Sequence, residues 1–148
     1  MARNQHDFTF DANTQLKDAG LVAANAAAQI ASVNKILDLG AARMDARCIV
    51  DTTAVESDTG DELFTVLVQG SNSATFANTI VTLGAMLFGH TSTTLESAVS
   101  PAAGRREISF CTEVSGTSYR YVRAYTKVAG TVATGINYTA FVVESARD

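Results

Sequence analysis

Tryptophan is absent, proline occurs once, at Pro101, and cysteine twice, at Cys48 and Cys111. A disulfide framework normally shows more cysteines at set spacings. Both sit in apolar surroundings, Arg-Cys-Ile-Val and Ser-Phe-Cys-Thr, and read as reduced, packed thiols, with a single bridge as the alternative. Charge is scarce: 18% of residues are charged against 47% apolar, which argues against a disordered chain. The net charge is −4, the wrong sign overall for a protein that neutralises phosphates. No apolar run reaches the ~18 residues of a membrane-crossing helix. The start, Met1-Ala2-Arg3-Asn4-Gln5-His6-Asp7, is polar and lacks an apolar h-region, so no secretory signal is expected. Without one, the sequon Asn137-Tyr138-Thr139 reads as accidental.

Reactive constellations are missing as well. His6 and His90 are the only histidines, and neither has a local partner for zinc or nucleophilic chemistry. Ser57, Ser73 and Ser109 lack the Gly-x-Ser-x-Gly elbow. No phosphate-cradling glycine loop occurs. Asp51 to Glu62 carries five acids (Asp51, Glu56, Asp58, Asp61, Glu62) and no base. The EF-hand spacing is absent there, so the stretch reads as a solvated acidic loop. The expectation is a non-enzyme with no cofactor, no metal, no membrane partner and no direct nucleic-acid partner.

What is present points to β structure. A chain of 148 residues fits one domain. From Ala19 to Ala31 the sequence is mostly alanine. Val22, Ala26, Ile30, Val33 and Leu37 keep a helical spacing, while Asp18, Gly20 and Asn25 interrupt it, so helix and extended arm both remain open. Beyond Gly40 come Cys48-Ile49-Val50, then Leu63 to Gln69, an apolar run suited to a central strand buried on both faces. Gly70 to Ser73 and Ser100 to Gly104 read as loops. Phe76 to Leu83 and Ala85 to His90 read as strands divided at Gly84. Val114-Ser115-Gly116-Thr117 and Val128-Ala129-Gly130-Thr131 each place a glycine where a tight turn needs positive φ. With the strands Tyr119 to Lys127 and Ile136 to Val143, they suggest a three-stranded meander. Short strands with frequent turns predict a sandwich or barrel, and long early connections favour a jelly roll.

Residues 105–127 hold five basic and two acidic residues, net +3, against six and thirteen elsewhere, net −7. A strand there puts Tyr119, Tyr121, Arg123, Tyr125 and Lys127 on one face. Three readings stay open: stacking of single-stranded nucleic acid, anchors for a protein partner, or an ordinary outer strand face.

One resemblance spans about residues 10–145. Asp38-Leu39-Gly40-Ala41-Ala42-Arg43 follows an Ala/Thr/Asn-rich arm, and an acidic loop leads through Gly60-Asp61-Glu62-Leu63 into an apolar strand. Arg120-Tyr121-Val122, Val128-Ala129-Gly130-Thr131 and Tyr138-Thr139-Ala140-Phe141-Val142-Val143 come later. This order resembles the small capsid cement (decoration) proteins of tailed phages, of the kind first described on a Bordetella phage. The resemblance implies an all-β, jelly-roll (Greek-key) sandwich over residues 32–148 with an extended N-terminal arm, 1–31, shared between neighbours. It implies a homotrimer on the outer surface of an icosahedral head, assembled in the host cytoplasm, bound to the major capsid protein where capsomers meet. The residues expected at subunit or capsid contacts are Phe8, Phe10, Leu16, Arg105, Arg106, Arg120, Tyr121, Arg123, Tyr125 and Lys127, with the acidic loop as an exposed tip or opposite a basic patch on the shell. The polar Met1 to Asp7 and the pair Arg105-Arg106 depart from the family pattern. Alternatives are a head–tail joining or tail-tube protein, and a free carbohydrate- or nucleic-acid-binding sandwich.

Overall fold

The structure, a computed structural model, describes residues 10–90 and 103–144. Among the described residues six long strands build two antiparallel layers: β7 (Asp45–Val55), β8 (Leu63–Ser71), β9 (Val81–Gly89), β10 (Gly104–Cys111), β13 (Tyr121–Ala129) and β14 (Ile136–Glu144). Eight two- or three-residue strands complete the set: β1 (Gln15–Lys17), β2 (Leu21–Val22), β3 (Ala26–Ala27), β4 (Gln29–Ile30), β5 (Val33–Asn34), β6 (Leu37–Asp38), β11 (Glu113–Val114) and β12 (Thr117–Ser118). The first layer runs β1-β14-β7-β10, with β2 also on β14. The second runs β3-β13-β8-β9, with β6 also on β13. The chain is an all-β sandwich.

The core lies between the layers and follows strand alternation. Cys48, Val50, Ile108, Phe110, Ile136, Tyr138, Ala140 and Val142 come from one layer and Phe64, Val66, Val68, Phe88, Val122 and Ala124 from the other. One hydrogen bond crosses it, 2.7 Å between Thr126 Oγ1 and Tyr138 Oη, which gives the buried phenol its partner. Among the described residues no buried side-chain nitrogen or oxygen lacks a partner.

The alanine-rich segment is extended. Its interrupting polar residues accept from backbone amides: Asp18 from Ala31 (2.8 Å) and Asn25 from Val128 (2.7 Å), while Gly20 donates to Asn137 (2.9 Å). Such side-chain-to-backbone bonds compete with helix and hold the segment against two sheet edges. The boundary expected at residue 31 has no counterpart in the pairing. Residues 15–17 and 21–22 pair with β14 and residues 26–27 with β13 of the same chain, so the described part of the arm is built into the sandwich.

Three local expectations change. Gly84 does not divide two strands: β9 runs through it, with a bulge at Leu83, and Phe76 to Ile80 is loop. A Cβ at Gly84 would stand 2.7 Å from Ile108 Cγ2, so the glycine lets β9 and β10 approach. The two similar turns also differ. Ser115-Gly116, both at positive φ, close a hairpin between β11 and β12. Gly130 instead opens a loop that carries the chain from β13 to β14 in the other layer, so no meander forms. Most of the loop expected at 100–104 lies outside the described residues.

Candidate interaction faces and the polar groups beneath them

The acidic stretch is solvated only in part: Asp58 and Asp61 are exposed, whereas Glu56 and Glu62 are buried. Asp51 lies within β7 and binds Arg105 on β10, directly opposite, through bonds of 2.8 and 3.0 Å. Glu56, 8% exposed, accepts from the amides of Ala133, Thr134 and Gly135 and from the Thr134 hydroxyl at 2.6–3.2 Å. Glu62 is fully buried and accepts from the amides of Thr59 and Gly60 and from the Thr59 hydroxyl. Asp61 takes the amide and hydroxyl of Thr131. Glu56 and Asp61 tie the β7–β8 loop to the β13–β14 loop at one end of the sandwich, and Glu62 closes the β7–β8 loop on itself. Hydrogen bonds from the Ala133 and Gly135 amides hold Glu56 below the usual carboxylate range, and those from Thr131 and Thr59 do the same for Asp61. Burial pushes Glu62 up, but the Thr59 and Gly60 donors outweigh it and bring the carboxyl to about 2. The spacing Thr59-x-x-Glu62 is a capping-box spacing used here without a helix, and it was a readable signal.

Lys17 carried no sequence signal and is 4% exposed. Its ammonium donates to the carbonyls of Asp18 (2.9 Å), Gly20 (2.9 Å) and Tyr138 (3.0 Å), and lies 4.7 Å from the Tyr138 ring centre. Burial lowers its pKa, with Asp18 opposing. All three ammonium donors are used on backbone. Lys17 therefore stands as a staple beneath a cleft of about 430 Å³ whose walls include Leu21, Ala24, Ala28 and Ser32.

The expected contact residues scatter. Leu16 is fully buried in this chain's own core, so it cannot serve as a surface contact in this fold. Phe8 lies outside the described residues. Phe10, 52% exposed, packs edge-on against Phe141 at 5.6 Å, and the Arg105 guanidinium lies 5.7 Å from the same ring. Alternation along β10 sends Arg105 outward and Arg106 to the face of Ile108 and Phe110. The basic stripe is thus not one patch, because β10 and β13 belong to different layers.

On the outer face of β13, Tyr121, Arg123, Tyr125 and Lys127 line up as the alternation predicts, whereas Tyr119, expected on the same face, precedes the strand and is buried. The Arg123 guanidinium sits 4.4 Å from the Phe76 ring centre and 5.3 Å from Tyr125, and donates to Gln69 (2.9 Å). Arg120 precedes the strand, makes two 2.7 Å bonds to Asp38 and lies 5.4 Å from the Tyr121 ring. That pairing, with a further bond from the Gly40 amide, holds Asp38 at about 2. The β13 face therefore presents Tyr121 and Tyr125 with Arg120 and Arg123 already engaged.

Burial pushes the Cys48 thiol up to about 12, and Cys111 is half-buried; both are free thiols. Among the described residues no three metal-ligating side chains are grouped. No described helix is long and apolar enough to cross a membrane. No protein-family model matches the chain, and no curated protein matches it significantly.

Proposed function

We propose that the protein is a structural virion component, a cement protein that binds as a homotrimer to the outer surface of a tailed-phage head and stabilises contacts between capsomers. One observation carries the reading beside the motif order: Lys17, Glu56 and Glu62 are each consumed by backbone groups of their own chain. The charged groups nearest the core hold loops in shape, which suits a rigid binding tile. The outer surface is left to alanine, threonine and engaged aromatics, whose burial costs little side-chain entropy.

A cement protein works by mass action. It binds the assembled lattice better than the loose parts and so stabilises the lattice. Three identical feet on a trimer multiply a weak contact through effective concentration. The Phe10 and β13 faces are the surfaces we assign to subunit or shell contacts. Leu16 is withdrawn from that assignment, because it is buried in the core.

Sedimentation of the full chain, alone and with purified tailed-phage heads, tests the reading. A trimer that saturates the heads is expected. A closed ring of six or more subunits that keeps its mass on dilution would point to a joining or tail-tube protein. Retention on glycan or single-stranded DNA columns without head binding would point to a free ligand-binding sandwich. Deleting residues 1–30 is a poor probe of the arm because it removes Leu16 and Lys17 from the core. Phe10→Ala is the cleaner variant.

A further inference from the structure

An edge strand offers a row of backbone N–H and C=O groups to any extended chain that approaches it. At one side, the layers end in strands of two or three residues. At the other they end in β9, nine residues long, and β10, eight. Three charges, Arg105, Arg106 and Glu107, stand in the first half of β10. No such guard exists on β9: Val81-Thr82-Leu83-Gly84-Ala85-Met86-Leu87-Phe88-Gly89 has neither charge nor proline. The bulge at Leu83 bends its first part, but Gly84 to Gly89 pairs regularly with β8. Among the described residues no strand pairs with its other side; β10 comes close at Gly84, and Phe88 and Gly89 are buried, which leaves Ala85 to Leu87 as the open stretch. Ala85 and Leu87 face outward and are exposed, opposite Leu67 and Thr65 of β8.

We infer that β9 is a self-association edge, through which two copies of this chain join β9 to β9, antiparallel, across a two-fold axis. In that arrangement every residue opposes one from the same strand, so a charged strand would set like charges side by side. Self-pairing of β10 would bring Arg105 and Arg106 into the seam. Self-pairing of β9 brings no charge and extends the apolar row of Leu67 and Ala85 from one copy to the next. The contact is isologous and closes on itself. It stands independently of the cement reading. Within that reading it links one trimer to the next, and without it the product is a dimer.

Sedimentation equilibrium of the full-length protein over a wide concentration range tests this. The wild type, Ala85→Lys, Leu87→Lys and a loop control, Thr75→Lys, are compared. The wild-type mass should at least double as concentration rises, from monomer to dimer or, for a trimer with three such edges, to six chains and beyond. Each edge lysine should shift the midpoint of that doubling by about tenfold, since like charges across a strand pair oppose association. The control should follow the wild type. A wild type that never doubles, or edge variants that double like it, overturns the inference. Head co-sedimentation of the same variants keeps the two readings apart. Lost doubling with head binding retained supports the edge contact. Lost head binding with doubling unchanged assigns the edge to an extended segment of the shell and overturns self-pairing.

Discussion

The acidic loop and the Arg/Tyr strand carry opposite charge and opposite fates. Glu56 and Glu62 disappear into backbone amides at the end of the sandwich, where two loops would otherwise leave donors unpaired. Arg120, Arg123 and Arg105 stay on outer faces: Arg120 and Arg105 meet accessible carboxylates, while Arg123 lies over Phe76 and donates to Gln69 at the sheet surface. The difference teaches that charge goes inside where the backbone needs it. A turn rich in free N–H groups can hold a buried carboxylate, whereas a strand face with every backbone group paired cannot.

Breaking the buried side should have the largest effects. Leu16→Ala should lower stability by about 2–5 kcal/mol, the range for emptying a filled core position, as read by urea denaturation. A change under 1 kcal/mol would mean the arm is not docked as described. Lys17→Met keeps the stem and removes the ammonium. Stranding three carbonyls should cost about 1–3 kcal/mol in the same assay.

The acid limb sharpens the contrast further. Glu62 has an ordinary pKa of 4.5 and a folded value of about 2. A depressed carboxyl contributes stability that is complete above its unfolded value and lost as pH falls through the folded one. The melting temperature of the wild type should therefore fall between pH 4.5 and 2. Glu62→Gln should melt lower at neutral pH and lose less over that window. Equal slopes for the two proteins would remove Glu62 from its assigned role.

The surface side should respond least. Arg120→Ala breaks an exposed ion pair with Asp38, so its melting temperature at neutral pH should barely move, and any difference should shrink in high salt. Thiol chemistry separates inside from outside in another way. Cys48, pushed up to about 12 by burial, should stay unmodified by a thiol reagent until the protein unfolds, while half-buried Cys111 reacts first. Simultaneous modification would place Cys48 outside the core.

Much of the fold was legible because strand burial repeats every second residue. Leu63 to Gln69 reads as a central strand, and β8 is one, flanked by β13 and β9. The Tyr121, Arg123, Tyr125, Lys127 face follows from the same period. Gly116 and Gly130 were legible as positive-φ positions, but not the layers they connect, since both turns share one local signature. The candidate site was legible in part. Alternation exposed the β13 face, yet Arg105 and Arg106 looked like one basic pair and point to opposite sides of β10.

By itself the sequence determined the β class, the turn glycines and the alternation of the late strands, because these depend on backbone sterics and a two-residue repeat. Tertiary structure alone decided that the alanine-rich arm is extended, that Leu16 and Lys17 belong to the core, and that Glu56 and Glu62 bind loops. The reason is physical: a sheet edge or a ring of unpaired amides exists only once distant strands have come together. Residues that satisfy such groups carry no local pattern that announces them.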